Sequence, residues 1–141
     1  MKGKRWIAFF VVVLMGVLCS VLFTGCALQS DETLKLRDLD FTVLSEGKIP
    51  EELKVKTEEL KSAPFQLTYR DKEYLYICVG YGQQGTGGYS IAVNELYLTE
   101  QNIHVNTSLL GPGTEEKVSK TPSYPYIVLK TELLEQTVVY E

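Results

Sequence analysis

The chain has 141 residues, 14 of them basic and 18 acidic, for a formal net charge of −4. This length fits one small domain with its own core, and the acidic balance argues against nucleic-acid binding, which requires a basic surface. The three cysteines and the single His104 show neither C-x-x-C nor H-E-x-x-H spacing, so the sequence predicts no metal site and no cofactor.

The N-terminus has the pattern of a bacterial secretory signal. Three basic side chains in the first five residues precede an apolar run, Trp6 to Phe23, that carries no charge. Small residues then lead into Cys26, as at the cleavage site of a lipoprotein. We expect residues 1–25 to be removed and the Cys26 thiol to carry a diacylglyceryl group, because two or three acyl chains hold a protein stably on a bilayer.

An uncleaved transmembrane helix is the alternative anchor. The residue three positions before Cys26 is Phe23, where lipoprotein signals usually have Leu, and the apolar run is close to the lower length limit for a span. Cys19 is a poorer lipidation site, because Leu18 precedes it instead of a small residue. Positive charge lies before the apolar run, so both alternatives place the rest of the chain on the outer side of the cell membrane.

The remaining chain is more acidic than the whole. Without residues 1–25, which carry three of the basic residues and no acidic one, 116 residues remain with a net charge of −7. We expect residues 26–39 to form the lipidated Cys and a polar tether, and residues 40–141 to form a single domain. Cys78 is the one cysteine left in that domain, so it has no disulfide partner there.

The predicted domain has several strands and one helix. Pro50, Glu51 and Glu52 favour a helix start, since Pro fits the first turn and acidic side chains complement the positive helix end. Leu53, Thr57 and Leu60 form its predicted apolar stripe, and the helix ends before residue 64. Some runs alternate between apolar and polar residues, and others are rich in aromatic and β-branched residues. These runs predict strands at residues 40–44, 65–69, 74–81, 89–99, 103–109, 124–129 and 137–140.

These elements predict an α+β, mainly-β fold class. Short connections favour antiparallel pairing, so we expect one curved antiparallel sheet of six or seven strands with the short helix packed on it. The apolar residues of the strand 89–99 change parity near residues 94–95, which indicates a β-bulge. In the strand 103–109, His104 lies on a polar face that alternates with an apolar one.

Residues 80–85 match G-x-G-x-x-G and follow a predicted strand. A nucleotide-binding loop of this type needs a helix after it, and a β-rich run follows here instead, so we do not expect nucleotide binding. The Gly-rich loop 82–88 has two open interpretations, which are turn geometry alone or backbone N–H groups presented to a partner. Eight tyrosines lie between residues 69 and 126, and they either suit half-buried strands or form a binding patch near this loop.

Cys78 and His104 could suggest a thiol nucleophile with its base. Cys78 lies in a predicted buried strand, and no acidic or amide residue is obviously placed to orient His104. A buried structural Cys is the commoner case. A serine hydrolase is also disfavoured, because there is no G-x-S-x-G elbow. We therefore expect a protein that is not an enzyme and has no catalytic residues.

The segment from Tyr76 to Val93 resembles the C-terminal domain of the PrcB family, whose hallmark is a strand, a glycine-containing loop ending in T-G-G-Y, and a further strand. A later Tyr-Pro-Tyr followed by a β-run, residues 124–129, is also similar to that family. The resemblance covers roughly residues 65–131, about half of the chain. The hallmark-loop residues carried over as the candidate partner-binding loop are Gly82, Thr86, Gly87, Gly88 and Tyr89.

The resemblance implies a non-catalytic lipoprotein. The founding member associates with a secreted subtilisin-like protease at the cell surface and is needed for the stability of that complex. The expected function is thus a membrane-anchored protein-interaction module that stabilises or assembles a surface protease complex, with a protease or another surface protein as partner. The alternatives are a lipoprotein that binds cell-wall glycan or a small ligand through its tyrosines, and a hydrolase that uses Cys78.

Overall fold

The computed structural model describes residues 34–115 and 117–141. The expected signal peptide, the lipidation site at Cys26 and most of the expected tether lie outside these described residues. Within the described ranges, no helix combines the length and the apolar character that a membrane crossing needs.

The described residues form eight strands and one α-helix. Helix α1 is Glu51–Leu60, and a single 3-10 turn, Glu46–Lys48, precedes it. The strands β1 to β8 are Arg37–Asp38, Phe41–Val43, Pro64–Arg70, Tyr74–Tyr81, Ser90–Leu98, Asn102–Leu110, Tyr126–Glu132 and Thr137–Tyr140.

These strands form two sheets of four strands each. The first sheet has the order β1-β5-β6-β8, and the second has the order β2-β7-β4-β3. The mainly-β class with one helix is confirmed, but the expectation of a single antiparallel sheet of six or seven strands is wrong. After β6 the chain crosses to the second sheet for β7 and returns to the first for β8, which therefore pairs with β6 in parallel.

Two apolar clusters stack the molecule into three layers. Leu75, Ile77 and Val79 of β4 pack between the two sheets together with Ile103 and Val105 of β6. The alternate residues of β4, Tyr76 and Cys78, face Leu53 of α1 on the other side of the second sheet. Strand β4 is buried on both faces for this reason, in agreement with the largely buried strand that its sequence predicts.

Helix α1 is attached to the second sheet through a narrow stripe. Leu53 and Thr57, four residues apart, are fully buried, whereas Leu60 is 40% exposed and does not continue the predicted stripe. The Thr57 hydroxyl lies 3.7 Å from Cys78 Sγ. This stripe fixes the helix over the middle of β4 and leaves most of its surface in solvent.

Two local features refine the sequence prediction. The predicted β-bulge is confirmed between Val93 and Glu95, where the register of β5 against β6 shifts. Arg37–Asp38 pairs with β5, and Leu39 is buried between the sheets, so the last residues of the expected tether are part of the fold.

Candidate functional site

Two loops meet at one end of the two sheets. The β4–β5 loop, residues 82–89, and the β6–β7 loop, residues 111–125, are joined by a backbone bridge in which Gln84 N–H donates to Ser123 O at 2.8 Å and Ser123 N–H donates to Gln84 O at 3.0 Å. We refer to these two segments as the loop pair. The bridge holds together two stretches that are remote in sequence.

Further hydrogen bonds of the loop pair involve the candidate loop residues themselves. Gly87 N–H donates to Ser119 O at 2.9 Å. The Ser123 hydroxyl donates to the Thr86 carbonyl at 2.6 Å. The backbone of this loop is thus bonded partly within the molecule, so the loop is a braced structure and its groups are only partly free for a partner.

Gly82 and Gly88 have a structural role. Their φ angles are +72° and +84°, a conformation that L side chains rarely adopt. A Cβ at Gly88 would lie 2.5 Å from Val118 Cγ1 and 2.9 Å from Pro112 Cβ, so this glycine also allows the two loops to approach. Gly85 differs, since no atom lies within 4 Å of a Cβ built there and the residue is exposed.

Tyr89 closes the candidate loop and is half-buried. Its ring edge lies 3.6 Å from where a Cβ of Gly111 would stand, so it packs against the second member of the loop pair. Tyr89 also lines a shallow cleft of about 250 Å³ with Ile91, Pro125 and Tyr126. All five candidate residues are therefore brought together at one end of the domain.

A larger cleft of about 470 Å³ opens between the two sheets beside the loop pair. We call it the inter-sheet cleft. Its walls come from β3 and β4 in the second sheet and from β6, β8 and the residue after β8 in the first. The lining residues are Pro64, Phe65, Gln66, Val79, Gly80, Tyr81, Val105, Thr107, Tyr140 and Glu141.

Two phenols of the inter-sheet cleft differ in their partners. The Tyr81 hydroxyl is hydrogen-bonded to Thr107 Oγ1 at 2.8 Å and so links the two sheets. The Tyr140 hydroxyl is buried and has no hydrogen-bond partner among the described residues. Burial also raises the pKa of Tyr140 far above that of a free phenol, so this group stays protonated and can donate.

Cys78 and His104 do not form a pair. Cys78 faces α1, whereas His104 alternates with the inter-sheet residues Ile103 and Val105 and lies on the outer face of the first sheet. Both sheets stand between the two side chains. Burial raises the pKa of the Cys78 thiol to about 11, an effect that the hydrogen bond between Thr57 and Cys78 only partly opposes, so the reactive thiolate is disfavoured.

His104 has an orienting partner that the sequence did not reveal. Its Nδ1 lies 2.7 Å from Glu141 Oε1, and its ring stacks on Tyr97 with centroids 4.8 Å apart and planes 3° apart. The expectation that no acidic residue is placed to orient His104 is therefore wrong. β8 carries Glu141 to this position by parallel pairing with β6, and sequence spacing gives no signal of that pairing.

Sequence reasoning also missed the partner residues of the candidate loop. These partners are Pro112, Val118, Ser119 and Ser123, which lie between the predicted strands 103–109 and 124–129, where the sequence analysis assigns no element. Tyr140 was expected merely to end a last strand. Among residues 34–115 and 117–141, no three His, Cys, Asp or Glu side chains are grouped so that they could hold a metal ion.

Residues 75–132 match the family model described as PrcB C-terminal. The match runs from β4 through β7 and contains both members of the loop pair. Strands β3 and β8 and the following Glu141, which together supply half of the residues that line the inter-sheet cleft, lie outside it. Neither a curated protein nor a solved structure matches the chain.

Proposed function

We propose that the protein is a non-catalytic interaction module, on the basis that residues 75–132 match the PrcB C-terminal family model. It is held on the outer side of the cell membrane by lipid on Cys26 and binds another surface polypeptide. A secreted or surface protease is the partner class that the resemblance to this family implies. The protein's contribution is then to stabilise or assemble that complex.

The braced loop pair is the observation that carries this proposal. An interaction surface gains affinity when its backbone is ordered before binding, because less conformational entropy is lost on association. Reciprocal hydrogen bonds between Gln84 and Ser123 and the close approach at Gly88 provide such order. The exposed tip at Gln83 and Gly85 remains accessible to a partner.

The placement of the reactive side chains supports a non-catalytic role. The thiol of Cys78 lies in the core against α1 with a raised pKa, and His104 is engaged with Glu141 and Tyr97 on the outer face of the other sheet. A nucleophile and its base need to be within hydrogen-bond reach, and these two side chains are on opposite sides of the molecule. The binding of a partner requires no such arrangement.

An anchor fits an interaction role. A protein that is confined to a surface meets a partner on the same surface at a high effective concentration, so even a modest interface is occupied. Mass spectrometry of the mature N-terminus tests this part. We expect a diacylglyceryl-modified Cys26 as the first residue; an unmodified Cys26, or a retained segment 1–25, would contradict it.

Two matched glycine substitutions test the binding surface. Gly85→Glu adds a charged side chain to the exposed tip of the loop pair, and Gly47→Glu adds the same side chain in the exposed 3-10 turn before α1. At neither position does a Cβ meet another atom within 4 Å. Gly88→Asp is a poor probe by comparison, because it would distort the loop pair itself.

The full-length chain and both variants are expressed in the native host and isolated from membranes, and co-isolated proteins are quantified by mass spectrometry. We expect a polypeptide partner with the wild type and with Gly47→Glu, and at least a tenfold loss with Gly85→Glu. Equal recovery from all three chains would remove the loop pair from the binding surface. Recovery of no partner from any of them would contradict the proposed function.

A further inference from the structure

Strand β6 is longer than its neighbour β8. Strand β5 pairs along β6 as far as Leu110, whereas β8 pairs only with Asn102 to Val105. The last bond on the β8 side runs from Glu141 N–H to the Val105 carbonyl at 3.0 Å. Beyond that point, none of the residues that the structure describes pairs with this edge of β6.

The free edge has defined hydrogen-bonding groups. Residues two apart in a strand direct their backbone groups to the same side. Because the Val105 carbonyl faces β8, the N–H and C=O groups of Thr107 and Leu109 face the same open edge. Proteins usually protect such an edge with Pro, Lys or a bulge, and the segment 106–110 has neither Pro nor Lys.

The inter-sheet cleft lies directly along this edge. Thr107 and Val105 form its wall in the first sheet, and Pro64 and Gln66 of β3 face them from the second. The cleft occupies the space where a strand in line with β8 would lie beside β6. Tyr140 also lines the cleft, and its hydroxyl is buried and lacks a partner among the described residues.

We propose that the inter-sheet cleft binds an extended polypeptide segment, which adds a strand to the first sheet beside Thr107 and Leu109 and continues the line of β8. This inference rests on the proposed function, because it takes the ligand to be a polypeptide. Backbone groups of the added strand complete the ladder of β6, and every second side chain enters the cleft.

The volume and the lining of the cleft indicate which side chains it accommodates. A volume of about 470 Å³ accommodates medium-sized side chains, and its lining is mixed, with Val79 and Val105 beside the polar Gln66. The inward side chains that it accommodates are therefore of medium size and either apolar or uncharged polar.

Two observations favour a peptide strand over a small ligand as occupant. The unpaired groups of Thr107 and Leu109 have the spacing of a β-ladder, which a chain of peptide units satisfies repeatedly. The neighbouring strand β8 already shows the parallel geometry that the added strand would extend.

The test uses the full-length chain in detergent and a phage-displayed library of random linear nine-residue peptides. A selected peptide is synthesised, and its affinity is measured by fluorescence anisotropy. Leu109→Pro removes the N–H group on the open edge, and Pro is tolerated where the N–H faces away from a ladder. We expect at least a tenfold loss of affinity for Leu109→Pro.

Leu110→Lys is the matched control. It changes the exposed side chain at the same edge without altering the backbone groups of Thr107 and Leu109, so we expect affinity within twofold of the wild type. Amide hydrogen exchange of the wild type provides a second readout, in which the peptide slows exchange at Thr107 and Leu109. Circular dichroism checks that each variant is folded. If Leu109→Pro does not fold, the exchange measurement on the wild type tests strand addition by itself.

The results that would overturn strand addition can be told apart from a failure of the proposed function. Failure to select any peptide, equal affinity for Leu109→Pro, or unchanged exchange at both amides would overturn strand addition. Self-association of the chain that Leu109→Pro abolishes would assign the edge to a second copy and overturn the proposal as well. If membrane partners still depend on Gly85 in any of these cases, the proposed function stands and only the strand-addition mode is lost.

Discussion

The loop pair and the inter-sheet cleft adjoin each other but have opposite hydrogen-bonding states. In the loop pair, backbone groups at Gln84, Thr86 and Gly87 are bonded across the two loops, and Gly88 fits closely against its neighbours. At the cleft, the Tyr140 hydroxyl has no hydrogen-bond partner in the part of the chain that the structure describes, and neither has the backbone of β6 beyond Val105 on the side of β8.

This difference distinguishes an ordered part of the proposed binding surface from a neighbouring part whose hydrogen-bonding groups are unmet. Residues that carry the family resemblance, above all Gly82 and Gly88, shape the loop pair. The unmet hydrogen-bonding groups lie next to it, and part of their cleft comes from β3 and β8, outside the matched residues 75–132.

The largest expected effect is a loss of folding stability when the packing of the loop pair is disrupted. Gly88→Ala places a side chain in a left-handed conformation and forces its Cβ against Val118 and Pro112, so we expect a loss of about 2–4 kcal/mol in the free energy of unfolding. Gly85→Ala is the control and should change stability by less than about 0.5 kcal/mol. Urea denaturation measures both, and equal stabilities would show that the loop pair is not rigidly packed.

Two Tyr→Phe substitutions in the cleft compare a hydroxyl that has a hydrogen-bond partner with one that has none. Tyr140→Phe removes a buried hydroxyl without a partner and should stabilise the fold by about 1 kcal/mol. Tyr81→Phe removes the bond to Thr107 and should destabilise the fold by about 1 kcal/mol. Thermal denaturation of both variants checks the signs. A destabilising Tyr140→Phe would mean that its hydroxyl is already satisfied.

A smaller effect is expected from the brace between the loops. Ser123→Ala removes the hydroxyl that donates to the Thr86 carbonyl, so we expect a loss of about 1 kcal/mol in the free energy of unfolding and faster amide exchange at Gly87. Ser119→Ala is a useful comparison, because Gly87 N–H bonds to the Ser119 backbone and keeps that bond. Faster exchange at Gly87 in both variants would argue against a specific brace.

The smallest expected effect comes from the β3–β4 turn, which lies outside the loop pair and the inter-sheet cleft. In the β3–β4 turn, Asp71 accepts hydrogen bonds from the N–H groups of Glu73 and Tyr74 and from the Tyr76 hydroxyl, and these hold its pKa below 3.8. A carboxylate with a lowered folded pKa stabilises the fold above pH 3.8, and this contribution is lost as the pH falls through the folded value.

Asp71→Asn should therefore reduce the loss of stability on acidification below pH 3.8. Denaturant unfolding at a series of pH values measures this slope. Peptide affinity at neutral pH should stay unchanged in the same variant, because the turn is remote from the cleft. An unchanged slope would mean that Asp71 has the same proton affinity in the folded and unfolded chains.

The sequence predicted local elements better than their arrangement. The start of α1, the β-bulge at Val93 and the buried strand β4 each follow from neighbouring residues, and all three are present. The division into two sheets could not be read from local pattern, because it depends on which strands pair across long intervals. The uninterrupted burial of β4 was the one available sign that both of its faces are covered.

The candidate site followed the same rule. The T-G-G-Y resemblance located one loop, and the structure shows that the five residues named from it lie together. The second loop contributes Val118 and Ser123, which have no distinctive motif. Tyr140 reaches the cleft only through parallel pairing of β8 with β6, which local sequence does not signal.

Site-specific photo-crosslinking in native membranes tests the central claim most directly. A benzophenone side chain is placed in the full-length chain at Gln83 in the loop pair, at Gln66 in the wall of the inter-sheet cleft, or at Glu52 on the exposed face of α1. The account predicts that Gln83 and Gln66 crosslink to the same polypeptide and that Glu52 does not. Crosslinking of that polypeptide with equal yield from Glu52, or no crosslink from either of the other two positions, would contradict it.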